Sequence, residues 1–264
     1  MSYQDHLKSL SQEYQSLYGF GLPWAIPKYR PAVVGSWSLR SRAGGVYESY
    51  LAESCVEQPH DVLCHSGDAW MSTSMLEIES HAWHLHCSKG NVLIAGLGMG
   101  MFLHAVAAKD DVENVVVLEI DADVIELFKL STGFEEWPHR DKITILHTDA
   151  LSPDAASHVR SAFAGKRPDY LYVDIWPVFP AVEAPQDTRN MVAIHEPVSA
   201  GWWGQEVEYG LWVEAGHRQI NSDDLSAFFQ HQGINVPFTV GYVRFCADVI
   251  DIQLGTSLKA VTLK

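Results

Sequence analysis

Basic side chains are scarce in this sequence. Lys and Arg number 18 against 33 Asp and Glu in 264 residues, which gives a formal net charge of −15. Proteins that bind nucleic acid or anionic membranes need clustered basic side chains to contact phosphate, and the sequence has no such cluster. We therefore expect no nucleic acid and no membrane as partner, and a cationic, neutral or zwitterionic small molecule as substrate.

Paired cysteines and long uninterrupted apolar segments are also missing. The four cysteines show no C-x-x-C spacing, and residues 1–14 are too polar for a secretory signal, so we expect a cytoplasmic protein with reduced thiols. The longest apolar run, residues 92–108, approaches the length of a membrane span. It contains three glycines and His104, which indicate a turn inside the run and argue against a membrane helix.

Several catalytic signatures are absent as well. The sequence has no Walker G-x-x-x-x-G-K-[ST] motif, no G-x-S-x-G nucleophile turn and no H-E-x-x-H zinc motif. These absences argue against P-loop nucleotide hydrolysis, serine-based acyl transfer and zinc-peptidase chemistry. His81, His84 and His86 lie close together, but a zinc site needs further convergent ligands, and we predict no metal.

The length and the apolar fraction of 47% are sufficient for one large core with a small appended region. We predict an N-terminal arm and small β-region over residues 1–80 and a catalytic α/β domain over residues 81–264. A helix is predicted over residues 3–17, and three prolines indicate an extended arm over residues 21–32. This arm could cover the site or a second copy of the chain, which leaves a homodimer open.

The segment from Asn91 to Gly100, N-V-L-I-A-G-L-G-M-G, is the most informative part of the chain. An apolar strand pattern ends in alternate glycines, and a helix is predicted over residues 101–109. Glycines let a backbone approach a ligand closely, and a strand, a glycine turn and a helix in this order form a nucleotide-binding corner. The third glycine comes one residue too early for the dinucleotide motif G-x-G-x-x-G.

Three further strand patterns have carboxylates at or just after their ends. They cover residues 115–119, 143–147 and 170–174. Glu119 and Asp174 are the last residues of the first and third patterns, and Asp149 follows the second by two residues. An amphipathic helix is predicted between the first two strands, over residues 121–130. Alternating strands and helices predict a parallel sheet, in which ligands bind at the carboxyl ends of the strands. Glu119 lies where an acid can accept hydrogen bonds from both ribose hydroxyls.

These motifs resemble the class I S-adenosylmethionine (SAM)-dependent methyltransferase superfamily over roughly residues 90–176. The resemblance implies a Rossmann-like α/β fold, with a mostly parallel sheet, helices on both faces and SAM as cofactor. It implies that the glycines contact the methionine part of SAM, that Glu119 and Ile120 hold the ribose, that Asp149 and Ala150 hold the adenine, and that Asp174 lies near the reacting centre. The implied cofactor contacts are Gly96, Gly98, Gly100, Glu119, Ile120, Asp149, Ala150 and Asp174.

The layout before the glycine turn is similar to the spermidine synthase branch, which transfers an aminopropyl group from decarboxylated SAM. Strands are predicted over residues 46–53 and 61–64, followed by an acidic, histidine-bearing helix over residues 75–87. Two departures argue against polyamine synthesis. Met99 occupies the region where that branch has an Asp for the donor's amine, and its D-S-x-D-P loop is replaced by D-I-W-P from Asp174 onward. The stretch that ends in this loop is also similar to guanidinoacetate N-methyltransferases.

The main hypothesis is methyl transfer from SAM to a small amine, guanidine or amino-acid-like acceptor. The alternative is attack at another sulfonium carbon of SAM or decarboxylated SAM, by aminopropyl transfer, aminocarboxypropyl transfer or SAM cleavage, with release of methylthioadenosine. A SAM-fold subunit without activity is a third option. The candidate catalytic residues are Asp174, Glu77 and His81, and the candidate substrate contacts are Trp176, Trp202, Trp203 and Glu79.

Two further patterns lie towards the end of the chain. Acids at positions 206 and 208 predict the start of a helix. The pattern over residues 240–253 predicts two strands that complete the sheet with an antiparallel edge.

Overall fold

Five parallel strands form the central sheet in the computed structural model, which describes residues 3–255. The strands of the chain are β1 Ala32–Val34, β2 Trp37–Arg42, β3 Gly45–Tyr47, β4 Cys55–Glu57, β5 His60–His65, β6 Asp68–Ser72, β7 Gly90–Ala95, β8 Val112–Glu119, β9 Ile143–His147, β10 Tyr170–Val173 and β11 Ser199–Trp202. The helices are α1 Tyr3–Tyr18, α2 Met75–Ser80, α3 Ala82–Cys87, α4 Met101–Ala107, α5 Ala122–Thr132, α6 Ala155–Ala162, α7 Ala184–His195, α8 Gln205–Ala215, α9 Ser222–Gln232 and α10 Val240–Gln253, with short 3₁₀ turns at Phe134–Glu136 and Arg140–Lys142.

The strand order of the central sheet is β11-β10-β7-β8-β9, and every neighbouring pair is parallel. The strands are nearly continuous apolar runs because helices cover both faces of a parallel sheet; residues 92–95 and 115–118 are all buried. After β7 the chain adds β8 and β9 on one side of that strand, and it then adds β10 and β11 on the other side. The carboxyl ends of β7 and β10 therefore adjoin a topological switch point, where a crevice for ligands opens.

A smaller antiparallel sheet with the order β1-β2-β5-β6 precedes the central sheet in the chain. Its first two strands contact α5. Trp37 on β2 donates its indole N–H to Asp121 Oδ2 at 2.7 Å. The other oxygen of Asp121 accepts from the N–H of Asp123 and caps α5, since a carboxylate satisfies the free N–H groups of a first turn. One carboxylate thus joins the small sheet to the central domain.

The predicted helix at the N-terminus is confirmed as α1. The arm over residues 21–32 is free of helix and strand up to the start of β1. It lies against its own chain: the Ala25 carbonyl accepts from His104 Nδ1 at 2.6 Å, and Arg30 donates its backbone N–H to the Ser131 carbonyl. The domain boundary at residue 80 and the homodimer stay predictions. Over residues 3–255, none of the helices combines the length and apolar character needed to cross a bilayer.

Three predicted elements are wrong. The strand over residues 46–53 ends at Tyr47, and the helix over residues 75–87 is divided into α2 and α3 at His81. Residues 240–253 form one helix, α10, so within the described residues the sheet has no antiparallel edge. Thr239 caps this helix by accepting the Tyr242 N–H. The apolar positions of residues 240–253 fit a helical repeat, because those buried on one side are three or four apart.

A buried carboxyl group joins α8 to two tyrosines from distant parts of the chain. Glu206 is 1% exposed, and its carboxylate accepts from Tyr242 Oη at 2.6 Å and from Tyr50 Oη at 2.9 Å. Burial raises the pKa of Glu206 to about 7 from its ordinary 4.5, against a smaller lowering by these hydrogen bonds. The folded protein therefore keeps a proton on Glu206 at pH values where the unfolded chain has lost it.

We expect Glu206→Gln to change how stability depends on pH. Between pH 4.5 and 7 the folded state binds the proton and the unfolded state does not, so the wild-type free energy of unfolding falls as pH rises through this window. Glutamine has no proton to lose. Between pH 5 and pH 8, the free energy of unfolding measured with urea should fall by on the order of 3 kcal/mol more in the wild type than in the variant. Equal losses in the two proteins would contradict this assignment.

Candidate active site

A cavity of about 480 Å³ opens at the carboxyl ends of the parallel strands. Its volume lies within the usual range for small-molecule sites. Its floor comes from the glycine turn and the ends of β8, β9 and β10, and its other walls come from the small sheet, α2 and α4. The chemically informative lining residues are Trp37, Trp70, Met71, Glu77, His81, Gly96, Gly98, Glu119, Ile120, Asp121, Asp149, Ala150, Tyr172, Asp174, Trp176 and Trp203.

The lining is acidic and aromatic. Its carboxylates are Glu77, Glu119, Asp121, Asp149 and Asp174, and its tryptophans are Trp37, Trp70, Trp176 and Trp203. Among the described residues that line it, none is Lys or Arg. Such a wall attracts cations both through charge and through the faces of its aromatic rings. The cavity therefore favours a ligand with a positive centre.

The glycine turn is shaped by its contacts within the protein. Gly96, Gly98 and Gly100 all have positive φ, at 96°, 50° and 76°, a region that other residues resist. A Cβ on Gly96 would collide with the Asp174 carbonyl, and one on Gly98 with the Met71 sulfur. Gly96 and Gly98 line the cavity, and their contact with a cofactor stays a prediction. Gly100 does not line it: it begins α4, packed against a Phe128 ring that leaves no room for a side chain.

Most backbone N–H groups of this turn already have partners. The N–H of Gly96 donates to Leu118 O at 2.9 Å, and that of Leu97 donates to Glu119 Oε2 at 3.0 Å. The N–H of Met99 donates to Met71 Sδ at 3.2 Å, and that of Gly100 donates to Leu97 O at 2.9 Å. A phosphate-binding turn instead points its N–H groups at the ligand. Together with the acidic lining, this arrangement disfavours pyrophosphate and suits a nucleoside without phosphate.

Glu119 ends β8 with a carboxylate that is fixed in place. Its Oε2 accepts from the Leu97 N–H and its Oε1 accepts from the Asp121 N–H at 2.9 Å. Each carboxylate oxygen has a second lone pair, so both can still accept from a ligand in the cavity. Ile120, the next residue, also lines the cavity and is 66% exposed. Asp149 and Ala150 follow β9 on the adjacent wall. Asp149 Oδ1 accepts from the Leu151 N–H, and the Ala150 carbonyl accepts from the His195 ring.

The other end of the cavity contains two carboxyl groups and a histidine. His81 Nε2 lies 3.8 Å from Glu77 Oε2 and 4.0 Å from Asp174 Oδ2. Burial raises the pKa of Asp174 to about 7. Burial and the neighbouring Asp174 raise the pKa of Glu77 well above its ordinary value, and burial lowers the pKa of His81 to about 3. Around neutral pH this group therefore contains a neutral imidazole and an Asp174 that is ready to take up a proton, beside a Glu77 whose raised pKa favours its protonated form.

Two predicted substrate contacts and one diagnostic residue lie elsewhere. Glu79 is buried outside the cavity, where it accepts from Tyr14 Oη at 2.6 Å and from the Leu51 N–H. Trp202 is 0% exposed and packs against Phe228 and Phe229. The Met99 side chain is also buried in the core and does not line the cavity, so it gives no information about the donor.

Trp176 and Trp203 do line the cavity, and their contact with a substrate stays a prediction. Sequence reasoning missed Trp37, Trp70, Met71 and Tyr172, which also line it. The first three lie on the small sheet, and no local motif relates that sheet to the glycine turn. Tyr172 lies two residues before Asp174 in a strand with a uniformly apolar pattern. That pattern predicts a buried strand and does not indicate that the tyrosine lines a cavity.

Comparison with known proteins gives structural matches only. No family model matches the sequence, and no curated protein matches it. The solved structures that match include a spermidine synthase in complex with the transition-state analogue AdoDATO, at 16% identity and a TM-score of 0.37 over 66% of this chain and 55% of that one. The spermidine synthase of Thermotoga maritima matches at 18% identity and 0.37 over 62% and 57%. The methyltransferase domain of bacterial CtHen1 matches at 14% identity and 0.33 over 43% and 56%.

The matches thus span little more than half of each of those structures. The assignment of the fold follows from the geometry of this chain: the five-stranded parallel order, the helices that flank it and the cavity at the switch point. The chain has a Rossmann-like α/β fold, with a five-stranded parallel sheet and flanking helices, as its sequence predicted.

Proposed function

We propose that this protein is a SAM-dependent transferase that acts on a small cationic or zwitterionic acceptor, with methyl transfer to an amine, guanidine or amino-acid-like nitrogen as the first candidate reaction. The observation that carries the proposal is the cavity at the strand ends, which has five acidic side chains and, among its described lining residues, no Lys or Arg. A sulfonium and an ammonium group are both cations, and this wall is complementary to them.

The residues of the floor fit SAM. Glu119 is held by two backbone N–H groups with lone pairs left on both oxygens, and this arrangement suits the two hydroxyls of a ribose. Asp149 and Ala150 would contact the adenine, with Asp149 accepting from its amino group. The turn at Gly96 and Gly98 would contact the amino-acid part of the cofactor.

The acceptor would bind at the end formed by Glu77, Asp174, Trp176 and Trp203. Trp203 donates its indole N–H to Ser80 Oγ at 2.8 Å, and Trp176 donates to Asp187 Oδ2 at 3.3 Å. Both rings are therefore fixed, and fixed aromatic walls orient a cation and exclude water from it. SAM supplies an activated methyl group on its sulfonium, so the protein has to align the acceptor and remove one proton from it.

Asp174 is the proposed general base. Its pKa of about 7 lies near the ordinary working pH, where a base is most efficient. Burial and the neighbouring Asp174 raise the pKa of Glu77 well above its ordinary value, which favours its protonated form. Two carboxyl groups with separated pKa values can take different roles in one site, and here Glu77 would remain a neutral hydrogen-bonding wall while Asp174 accepts the proton.

The second candidate is attack at a different sulfonium carbon. Intact SAM has a carboxylate, and no Lys or Arg among the described lining residues could pair with it. Decarboxylated SAM lacks that carboxylate and fits the acidic wall better on this ground. Aminopropyl transfer would then release methylthioadenosine. The absence of basic lining also supports a small-molecule acceptor in preference to nucleic acid.

The nucleoside product distinguishes the candidates. We expect incubation of the protein with SAM and a panel of small amines, guanidines and amino acids to produce S-adenosylhomocysteine, identified by mass spectrometry. A parallel incubation with decarboxylated SAM tests the second candidate. Methylthioadenosine as the product would overturn methyl transfer, and tight binding of either donor without turnover with any acceptor would support a subunit without activity.

Replacing Glu119 should weaken cofactor binding. Loss of a charged hydrogen-bond acceptor costs about 1.5–3 kcal/mol, so the Kd of SAM for Glu119→Ala should rise by about ten- to a hundredfold in calorimetry. Glu113→Ala is the matched control, because Glu113 lies on the same strand but at the opposite end, exposed and paired only with Lys166 at 3.5 Å among the described residues. Equal affinities for the two variants would contradict the proposed cofactor position.

The rate should follow the ionisation of Asp174. Since its pKa is raised to about 7, the fraction of ionised base falls as pH drops below 7, and kcat should fall with it. Asp174→Asn should lower kcat by about a hundredfold or more and remove this acid limb. Asp169→Asn is the control: Asp169 precedes the same strand at its far end, and an amide keeps the oxygen that accepts the Asn91 N–H. An unchanged acid limb in Asp174→Asn would exclude Asp174 as the base.

A further inference from the structure

Two histidine–tyrosine pairs link α2 and α3 to β10. His81 Nδ1 lies 2.8 Å from Tyr172 Oη, and His84 Nδ1 lies 2.8 Å from Tyr170 Oη. All four side chains are buried. Only the first pair reaches the cavity, since His81 and Tyr172 line it whereas His84 and Tyr170 do not. The two pairs are therefore the same in chemistry and differ in their access to the proposed acceptor site.

The hydroxyl of Tyr172 determines where the proton of His81 lies. The tyrosine ring is packed between His84, at 4.2 Å between ring centroids, and Phe102, at 4.5 Å, so its hydroxyl has one fixed position. Within residues 3–255, the hydrogen bond of this hydroxyl is to His81 Nδ1. A buried O–H donor needs an acceptor, and donation to Nδ1 requires that nitrogen to be unprotonated. A neutral imidazole then has its proton on Nε2.

Nε2 is the atom of His81 that faces the two carboxyl groups. It is buried and has no hydrogen-bond partner among the described residues. Glu77 Oε2 at 3.8 Å and Asp174 Oδ2 at 4.0 Å are too far for direct hydrogen bonds. A buried N–H without a partner costs free energy, and the polar atoms nearest to it are those of the two carboxyl groups at the proposed acceptor end of the cavity.

We infer that Tyr172 is a positioning residue that holds His81 in its Nε2–H tautomer, so that His81 is a hydrogen-bond donor in the acceptor site and Asp174 alone removes the proton. This inference rests on the proposed function for its catalytic consequence, although the tautomer itself can be measured without any substrate. It gives His81 a role different from the general base that its position in the sequence suggested.

The proton balance follows from this arrangement. In the proposed transfer one N–H bond of the protonated acceptor would break and one O–H bond would form on Asp174. The electron pair left on that nitrogen would form the N–C bond as the C–S bond of the donor breaks, and the electron pair of the C–S bond would go to the sulfur of the neutral thioether product. The Nε2–H group adds positive potential beside Asp174, which favours the ionised carboxylate needed to begin the step. An imidazole with its lone pair on Nε2 would oppose that carboxylate and compete with it for the same proton.

The first test is nitrogen-15 NMR of the histidine rings in the protein without ligand at neutral pH, with His81 assigned by comparison with His81→Gln. We expect the pattern of a neutral ring protonated at Nε2. A ring protonated at Nδ1, or a doubly protonated ring, would overturn the inference. This result does not depend on whether the protein transfers a methyl group, so it fails or succeeds separately from the proposed function.

The second test compares Tyr172→Phe with the matched control Tyr170→Phe. Each variant removes one hydroxyl and one histidine hydrogen bond from the same strand, and Tyr170→Phe also removes a hydrogen bond with Cys87. Both variants should therefore lose core stability. Only Tyr172→Phe should alter the His81 signals. It should also lower kcat about tenfold, the net effect of one hydrogen bond, and leave the KM for the donor unchanged.

The pH profile should change as well. The groups that face Asp174 are Glu77 and His81 from α2 and the junction that follows it, and Tyr172 from its own strand. Without a fixed Nε2–H donor, the ionised carboxylate is less stable, and the midpoint of the acid limb should move to higher pH in Tyr172→Phe only. Equal falls in kcat and unchanged midpoints in both variants would show a purely structural role for Tyr172.

Discussion

The carboxylate of Glu119 is the contact on which the site depends. It joins the backbone of the glycine turn, through Leu97, to the start of α5, through Asp121. Two separate loops are thereby held to the end of one strand by a single side chain. A charged acceptor with two backbone donors is among the stronger arrangements available in a protein, and it leaves the outer lone pairs directed at the cavity. The geometry of the floor and the proposed contact with a ribose diol would then have the same cause.

The chemistry at the opposite end depends on desolvation. Asp174 and Glu77 lie in a wall with little water, and burial is the largest cause of the raised pKa in both. The same burial keeps His81 neutral. The acidic side chains of the site would repel one another if all of them were charged. Different pKa values avoid this, because some of the carboxyl groups then stay protonated while others ionise. A cationic ligand would favour ionised carboxylates, so the binding of ligand and the ionisation of the wall are linked.

Much of the central sheet could be predicted from the sequence, because its strands are apolar runs that end in acids. The strand over residues 143–147 was predicted with its observed limits, and the glycine turn was located correctly. The fifth strand, Ser199–Trp202, was missed since its small residues and tryptophan do not form a strand pattern. In α10 the apolar positions fit both a helical and an alternating repeat, and packing against α8 and α1 decides between them. Trp37 and Trp70 reach the cavity only through pairing between distant strands, which no local pattern specifies.

The bond between Trp37 and Asp121 makes the small sheet part of the floor's support. Asp121 caps α5 with one oxygen and accepts the indole N–H with the other, while its own backbone N–H donates to Glu119. A ligand that contacts both the strand ends and Trp37 would stabilise these contacts between the small sheet and the central sheet. Part of its binding free energy would then stabilise the small sheet against local unfolding. The local stability of the small sheet would therefore depend on whether a ligand fills the cavity, although this sheet is separate from the parallel sheet.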